Sequence, residues 1–307
     1  MKVYLSKLNE SWVVDRFRND WYQNNKDIST ESIYKSDIIW IISPWVWKKI
    51  SRRQLKKKKV VCSIYHIDFE NFDDNERKDF YERDKFVDEY HVISLKTKTQ
   101  LENLTQKKIT SIPFWVDQNI FKHLENKKKL RQKYGFKEEE YLVGSFQRDT
   151  EGHDLKSPKL IKGPDVFLDI VKERYEDNKN LVVILTGKRR QYLIYKFNEL
   201  DIPYRYFEMV DIYTINELYN ILDLYLVTSR IEGGPQAILE CAQTRTPLLS
   251  TNVGVAPEIL HEESIYEVDN FKNAKVNIEY AYEKSMRYTI PEGMSMYRSM
   301  MELIYES

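Results

Sequence analysis

Two glutamates eight residues apart, Glu232 and Glu240, are the side chains of this chain best placed to do chemistry. Gly233, Gly234 and Pro235 follow the first of them. Glycines let a ligand or another backbone approach closely, and proline is favoured at the first position of a helix, where its missing N–H is no loss. The unpaired N–H groups of a helix N-terminus form a binding site for phosphate. The segment therefore predicts an anion site at the start of a helix, with carboxylates on either side.

The two carboxylates suggest what else the anion carries. Ionised carboxylates accept hydrogen bonds and so suit hydroxyl groups rather than phosphate. We expect Glu232, on the loop, and Glu240, within the helix, to bind two sugar rings, one a ribose and the other a hexose. Gln236 and Ala237, in the first helical turn, complete the expected site. A diphosphate between two sugars is a nucleotide sugar, so this is the ligand that the segment predicts.

Short runs of β-branched and aromatic residues alternate with helical patterns along the chain, which favours an α/β fold with parallel sheets covered on both faces. In the first part, strands are predicted at 2–6, 37–43, 59–66, 89–94 and 109–114, and helices at 13–24, 44–55, 76–86 and 96–105. A charged run at 126–133 then marks a boundary. Beyond it, strands are predicted at 141–146, 181–186, 204–208, 224–229, 247–252 and 264–268, and helices at 164–175, 215–222 and 235–244.

This pattern predicts two Rossmann-like domains whose parallel sheets face a central cleft. The first, acceptor-side domain is expected at 1–123 and the donor-binding domain at 124–288. A final helix in 289–307 is expected to pack back on the first domain. In such sheets ligands bind at the carboxyl ends of strands, which is where the turn before Pro235 lies.

Composition and charge exclude several classes of protein. Lys plus Arg and Asp plus Glu number 48 each, so no global field attracts nucleic acid, and none is expected as a partner. Cys62 and Cys241 lie far apart in apolar segments, which favours free thiols in a reducing compartment. The pattern of a signal peptide and an apolar run long enough to span a bilayer are both lacking. We therefore expect a cytoplasmic protein.

The segment 232–240 resembles the E-x7-E motif of the family-4 retaining glycosyltransferases, which have the GT-B fold. The matching positions of the form E-G-x-P-x-x-x-L-E are Glu232, Gly233, Pro235, Leu239 and Glu240. The similarity continues through 216–229 and 246–258. The resemblance implies a hexosyltransferase-type enzyme that moves a sugar from an NDP-sugar to a hydroxyl with retention of configuration. It also implies no metal and no cofactor beyond the nucleotide sugar as co-substrate.

Arg148, at the end of a predicted strand, and Lys162, before a predicted helix, are similar to the G-R…K-G element of this family. The resemblance implies that they neutralise the leaving diphosphate, because fixed cations stabilise the negative charge that develops there. An extra loop, 150–160, separates the two residues here, and its Lys156 or Lys159 could substitute for Lys162. The alternative is that these are ordinary surface cations.

His66, at the end of the predicted strand 59–66, resembles the N-domain histidine that contacts the transferred sugar in this family. The alternative is a solvent-facing residue beyond a buried strand. The loop 6–11 lacks the glycines that the family has after its first strand, and the first domain is short. The expected acceptor is therefore only a hydroxyl of a glycan, a lipid-linked sugar or another glycoconjugate.

Trp45, Trp47 and eight cations between Lys48 and Lys59 share one predicted helix and its exit. Aromatic anchors and cations together suit an anionic membrane surface. Peripheral contact with the inner face of the membrane is therefore one hypothesis for this segment. The other is an ordinary helix whose apolar side packs on the sheet and whose cationic side is solvated.

Two other functions stay open, because a fold does not determine a function. One is a nucleotide-sugar epimerase or hydrolase on the same scaffold. The other is a non-catalytic relative that only binds a nucleotide sugar or a partner glycosyltransferase. A nucleic-acid-modifying glycosyltransferase is disfavoured by the zero net charge.

Overall fold

The computed structural model describes residues 1–7 and 13–307, apart from the side chain of Asp269. Most of the predicted loop at 6–11 lies outside these residues. The chain forms two compact units, Met1–Trp115 with Tyr288–Ser307 and Val116–Arg287, each of which contains one parallel sheet. Within the described ranges, no helix has the length and apolar character needed to cross a bilayer.

In the part of the first unit that the structure describes, there are five strands and five α-helices. Its strands are β1 (Val3–Leu5), β2 (Ile38–Ile41), β3 (Lys59–Ile64), β4 (Glu89–Val92) and β5 (Lys108–Ser111). Its helices are α1 (Val13–Asn24), α2 (Arg52–Leu55), α3 (Asp74–Asp84), α4 (Leu95–Glu102) and the last helix of the chain, α12 (Glu292–Glu306).

The strands of this unit lie in the order β1-β2-β3-β4-β5. Residues 28–30 extend the sheet beyond β1, since Val3 donates to the carbonyl of Ile28 (2.7 Å) and accepts from Thr30 (3.0 Å). After β1 the chain adds residues 28–30 on one side of that strand and then β2 on its other side. This change of direction places helices on both faces of the sheet. Neighbouring residues of β4 show both faces, because Tyr90 stacks on Phe80 of α3 whereas His91 contacts Tyr297 of α12.

A buried hydrogen-bond network holds α12 on this sheet. The indole of Trp40 donates to Ser63 (2.8 Å), and the Ser63 hydroxyl lies 2.8 Å from Nδ1 of His91. Nε2 of His91 lies 2.8 Å from the carbonyl of Ile112, to which the Tyr297 hydroxyl also donates. Burial lowers the pKa of His91 to about 4, so its ring is neutral near pH 7. Each of its two nitrogens has a hydrogen-bond partner.

The segment predicted as one helix at 44–55 is broken. A 3₁₀ turn occupies Pro44–Lys49, and α2 follows as a separate helix of four residues. The cause is Ile50, whose extended conformation (φ −93°, ψ 134°) interrupts the helical hydrogen bonds.

Trp47 is buried, so the hypothesis that two tryptophans anchor a membrane contact is wrong for this residue. Its indole N–H donates to Asp79 (3.1 Å) and its ring packs near Phe86. Trp47 is therefore part of the core and is not available to a membrane. Trp45 is 50% exposed.

The second unit has six strands and seven α-helices. Its strands are β6 (Tyr141–Ser145), β7 (Leu181–Thr186), β8 (Tyr204–Phe207), β9 (Leu224–Val227), β10 (Leu248–Thr251) and β11 (Ile265–Tyr266). Its helices are α5 (Lys127–Lys133), α6 (Pro164–Asp177), α7 (Gln191–Glu199), α8 (Ile212–Ile221), α9 (Gln236–Thr244), α10 (Ala256–Ile259) and α11 (Ile278–Ser285).

The order β11-β10-β9-β6-β7-β8 is that of a Rossmann fold. The chain starts at the central strand β6, adds β7 and β8 on one side, and then adds β9, β10 and β11 on the other. The winding reverses between β6 and β9, which pair directly. In open α/β sheets the ligand site lies beyond the carboxyl ends of the strands at such a reversal.

Arg190 braces the carboxyl ends of β6 and β7. The side chain is fully buried and donates to the carbonyl of Ser145 (2.8 Å) and to the carboxylate of Asp149 (3.0 Å). A buried guanidinium is tolerated when it is paired and hydrogen bonded in this way. The contact keeps the loop after β6 in place.

Candidate functional site

Loops from β6 and β9 meet at the point where the second sheet reverses. Gln147, which follows β6, donates its amide N–H to the carbonyl of Lys162 (2.9 Å) and accepts from the hydroxyl of Ser229 (3.2 Å), which follows β9. Thr228 also donates to the carbonyl of Lys162 (3.3 Å). The start of α6 is thus tied to both loops.

Two glycines let the backbones of this site touch. Gly163 has φ +60°, and a Cβ added there would lie 1.8 Å from the carbonyl oxygen of Thr228. Gly254 has φ +50°, and its added Cβ would lie 2.0 Å from the carbonyl oxygen of Gly233. Both positions need glycine for its left-handed backbone and for its missing side chain. The loop that carries Glu232 is therefore held closely from both sides.

The amino group of Lys162 contacts the carboxylate of Glu232, and each side chain is 18% exposed. Burial, followed by the positive charges of Lys159 and Arg148, lowers the pKa of Lys162. The carboxylate of Glu232 in contact with the amine acts in the opposite direction. The contact joins the cation expected to bind a diphosphate to the carboxylate expected to bind a sugar.

Arg148 presents an unsatisfied donor at this site. Its Nε is buried and has no hydrogen-bond partner in the described part of the chain. Burial and the nearby Arg189 lower the pKa of Arg148, and Glu151 opposes them. Since a buried donor without a partner costs free energy, an anion bound here would stabilise the arginine.

Helix α9 begins at Gln236, one residue later than predicted, because Pro235 adopts φ −57° and ψ 108°. Gln236 and Ala237 are half-buried in its first turn. Glu240, about one turn further along, is 6% exposed and accepts a 2.8 Å hydrogen bond from Tyr219 of α8. The second glutamate of the pair thus has one oxygen oriented by a tyrosine.

His66 belongs to the first unit, where it is exposed and lies two residues after the end of β3. The other predicted site residues all belong to the second unit. Among the residues that the structure describes, no three His, Cys, Asp or Glu side chains are grouped so that they could hold a metal ion.

Sequence reasoning missed the supporting roles of Gln147 and Tyr219. Gln147 stands directly after a predicted strand and beside Arg148, so its position was a usable signal. Tyr219 carries no such signal, because its bond to Glu240 joins two helices that are separated by a strand.

The sequence profile of the family Glycosyl transferases group 1 matches residues 126–288, which is more than half of the chain. Among curated proteins, none matches this chain by sequence.

Several solved structures share its fold. Alr3699/HepE from Anabaena, in complex with UDP and glucose, matches with a TM-score of 0.74 at 13% identity, over 99% of this chain and 98% of that chain. Sucrose-phosphate synthase from Thermosynechococcus elongatus matches with a TM-score of 0.70 at 13% identity, over 96% of this chain and 78% of that one. A glycosyltransferase from Rickettsia africae ESF-5 matches with a TM-score of 0.64 at 15% identity, over 97% and 83%.

At identities this low, the structural similarity establishes only the fold, which is the GT-B fold with two Rossmann-like domains. The family profile adds the class of enzyme. This chain belongs to the glycosyl transferases group 1 family.

Proposed function

We propose that this protein is a family-4 retaining glycosyltransferase that transfers a hexose from an NDP-sugar to a hydroxyl of a glycan, a lipid-linked sugar or another glycoconjugate. The observation that carries the proposal is the contact between Lys162 and Glu232 beside Arg148, at the reversal point of the second sheet. HepE, which shares the fold, has been solved with UDP-glucose, which supports this class of donor.

The donor would bind to the second domain, which the sequence places at 124–288. We assign its diphosphate to the N-terminal turn of α9, because the dipole of a helix favours an anion at its N-terminus. Around it lie Gly233, Gly234, Pro235, Gln236 and Ala237. The segment 232–240 then acts as the E-x7-E motif.

The two glutamates would bind the two sugars of the donor. Glu240 would accept hydrogen bonds from the ribose hydroxyls, because the bond from Tyr219 orients its carboxylate. Glu232 would accept hydrogen bonds from the transferred sugar. His66, from the acceptor-side domain at 1–123, would also contact that sugar.

In the proposed reaction the bond between the anomeric carbon and the diphosphate oxygen breaks, and the acceptor oxygen bonds to that carbon on the same face. The departing oxygen takes the acceptor proton. Arg148 and Lys162 stabilise the charge of the diphosphate without a metal. An ammonium group has three donors, so Lys162 can keep its contact with Glu232 while it binds a phosphate oxygen.

A thermal-shift screen over UDP-, GDP- and ADP-sugars would identify the donor, and product analysis with and without acceptors would test the reaction. We expect transfer that needs an acceptor, retains the anomeric configuration by NMR, and persists in EDTA. Conversion of the donor alone to an epimer or a free sugar would instead indicate an epimerase or hydrolase. Binding without turnover by any acceptor would indicate a non-catalytic relative.

Peripheral contact with an anionic membrane is part of the proposal, carried by Trp45 and the exposed cations Lys49, Arg52, Arg53, Lys56 and Lys57. Cations near a surface of this kind each add attraction that salt screens. Flotation with anionic vesicles at two salt concentrations tests the contact, with Trp45→Ala as the comparison. Lack of binding at low salt would remove the membrane from the proposal.

A further inference from the structure

The loop at 150–160 folds back on itself as a short hairpin whose arms are too short to form strands. Its arms form an antiparallel bridge between Thr150 and Pro158, and the N–H of Lys159 donates to the carbonyl of Asp149 (2.7 Å). Because Asp149 directly follows Arg148 of the candidate site, this pairing brings Lys159 alongside Arg148.

The base of the hairpin is attached to the loop after β7. The carbonyl of Arg189 accepts from the N–H groups of Asp149 (2.9 Å) and Thr150 (3.2 Å). The guanidinium of Arg189 donates to the carbonyl of Gly152 (3.1 Å). Asp149, to which Lys159 is hydrogen bonded, is thus itself held to the loop after β7.

The cations of this region exceed the nearby anions. Lys162 is paired with Glu232, but within the described ranges neither Arg148 nor Lys159 has a carboxylate in ion-pair contact. Lys159 is half-buried, and burial, followed by the charge of Arg148, lowers its pKa, which the exposed Glu151 opposes only in part. Like charges brought together away from water cost free energy unless an anion joins them.

We propose that Lys159 is a third cation of the diphosphate site and binds phosphate oxygens of the donor together with Arg148 and Lys162. The inference rests on the proposed function. The hairpin thus supplies a positive charge close to the site, in addition to the charges of Arg148 and Lys162.

The substitution Lys159→Gln tests this, with Lys156→Gln as a control on the same hairpin, where the side chain is exposed. Affinities for UDP and for inorganic pyrophosphate are measured by calorimetry at two salt concentrations. We expect Lys159→Gln to weaken both about tenfold, the effect of one charge-assisted contact, and Lys156→Gln to change them less than about twofold. Thermal melting should show Lys159→Gln folded and at least as stable as the parent protein, because repulsion is relieved. Lys159→Arg should retain most of the affinity.

Equal affinities of Lys159→Gln and Lys156→Gln would overturn the inference. The proposed function would still stand if Arg148→Gln and Lys162→Gln lost binding. Absence of binding of both probes by the parent protein would overturn the inference and the proposed function together. Pyrophosphate keeps the test independent of the base that the donor carries.

Discussion

The hydroxyl of Tyr219 donates a 2.8 Å hydrogen bond to Oε2 of Glu240 and so joins α8 to α9. Both side chains are buried. Burial and the charge of Glu240 raise the pKa of Tyr219 well above its ordinary value, so the phenol stays protonated and donates. Under the proposed function, this bond determines which way the ribose-binding carboxylate points.

Tyr219→Phe removes that donor and keeps the ring. We expect the free energy of unfolding to fall by about 1 kcal/mol and the affinity for the donor nucleotide to fall about threefold to tenfold, because Glu240 loses its orientation. Urea unfolding and calorimetry measure the two effects. Tyr213→Phe, on the same helix but 66% exposed, is the control. Unchanged affinity in Tyr219→Phe would contradict the positioning role.

Glu232→Gln should separate catalysis from nucleotide binding. Loss of the carboxylate that binds the transferred sugar should lower kcat about a hundredfold. The affinity for the nucleoside diphosphate should be kept or increased, because Lys162 no longer shares its charge with a carboxylate. Steady-state kinetics and calorimetry check both, with the exposed Glu262→Gln as control. A large loss of nucleotide affinity would argue that Glu232 binds another part of the donor.

Gly254→Ala and Gly135→Ala form a matched pair, since both glycines have positive φ. Gly135 has open space around its added Cβ, whereas at Gly254 that atom would lie 2.0 Å from the carbonyl oxygen of Gly233. We expect Gly135→Ala to cost about 1 kcal/mol through backbone strain. Gly254→Ala should cost at least about 2 kcal/mol more, by analogy with other overpacked sites, and should also weaken donor binding. Equal losses of stability would mean that the loop moves aside easily.

The stability of the first unit should depend on pH through His91. Its pKa is about 4 in the folded state against 6.5 as the ordinary value. The neutral ring therefore contributes stability that is present above pH 6.5 and is lost as the pH falls towards 4. The expected slope is about 1.4 kcal/mol per pH unit.

Fluorescence-detected urea unfolding measures this slope, because all six tryptophans lie in Met1–Trp115. A His91→Asn variant controls for the carboxylates, which titrate in the same range. We expect its pH dependence to be shallower by that slope. Parallel curves for the two proteins would show that His91 is not the titrating group.

Much of the fold could be predicted because the signals are local. Alternation of apolar runs with helical patterns predicted every strand to within a few residues, and β7 at its observed bounds. The prediction of one helix at 44–55 was wrong because a single extended residue, Ile50, interrupts the helix that the composition of the segment favours. The prediction that Trp47 can anchor a membrane contact was wrong for a related reason. Asp79, which accepts the hydrogen bond from its indole, lies on α3.

The sequence by itself determined the α/β class, the balance of charge and the segment 232–240, because periodicity and turn chemistry depend on neighbouring residues. The tertiary structure alone decided that Lys162 contacts Glu232, seventy residues away in the chain, and that Tyr219 binds Glu240. It also brought Lys159 beside Arg148. Such contacts depend on the order of strands in the sheet and on the pairing of a hairpin, which bring distant segments together.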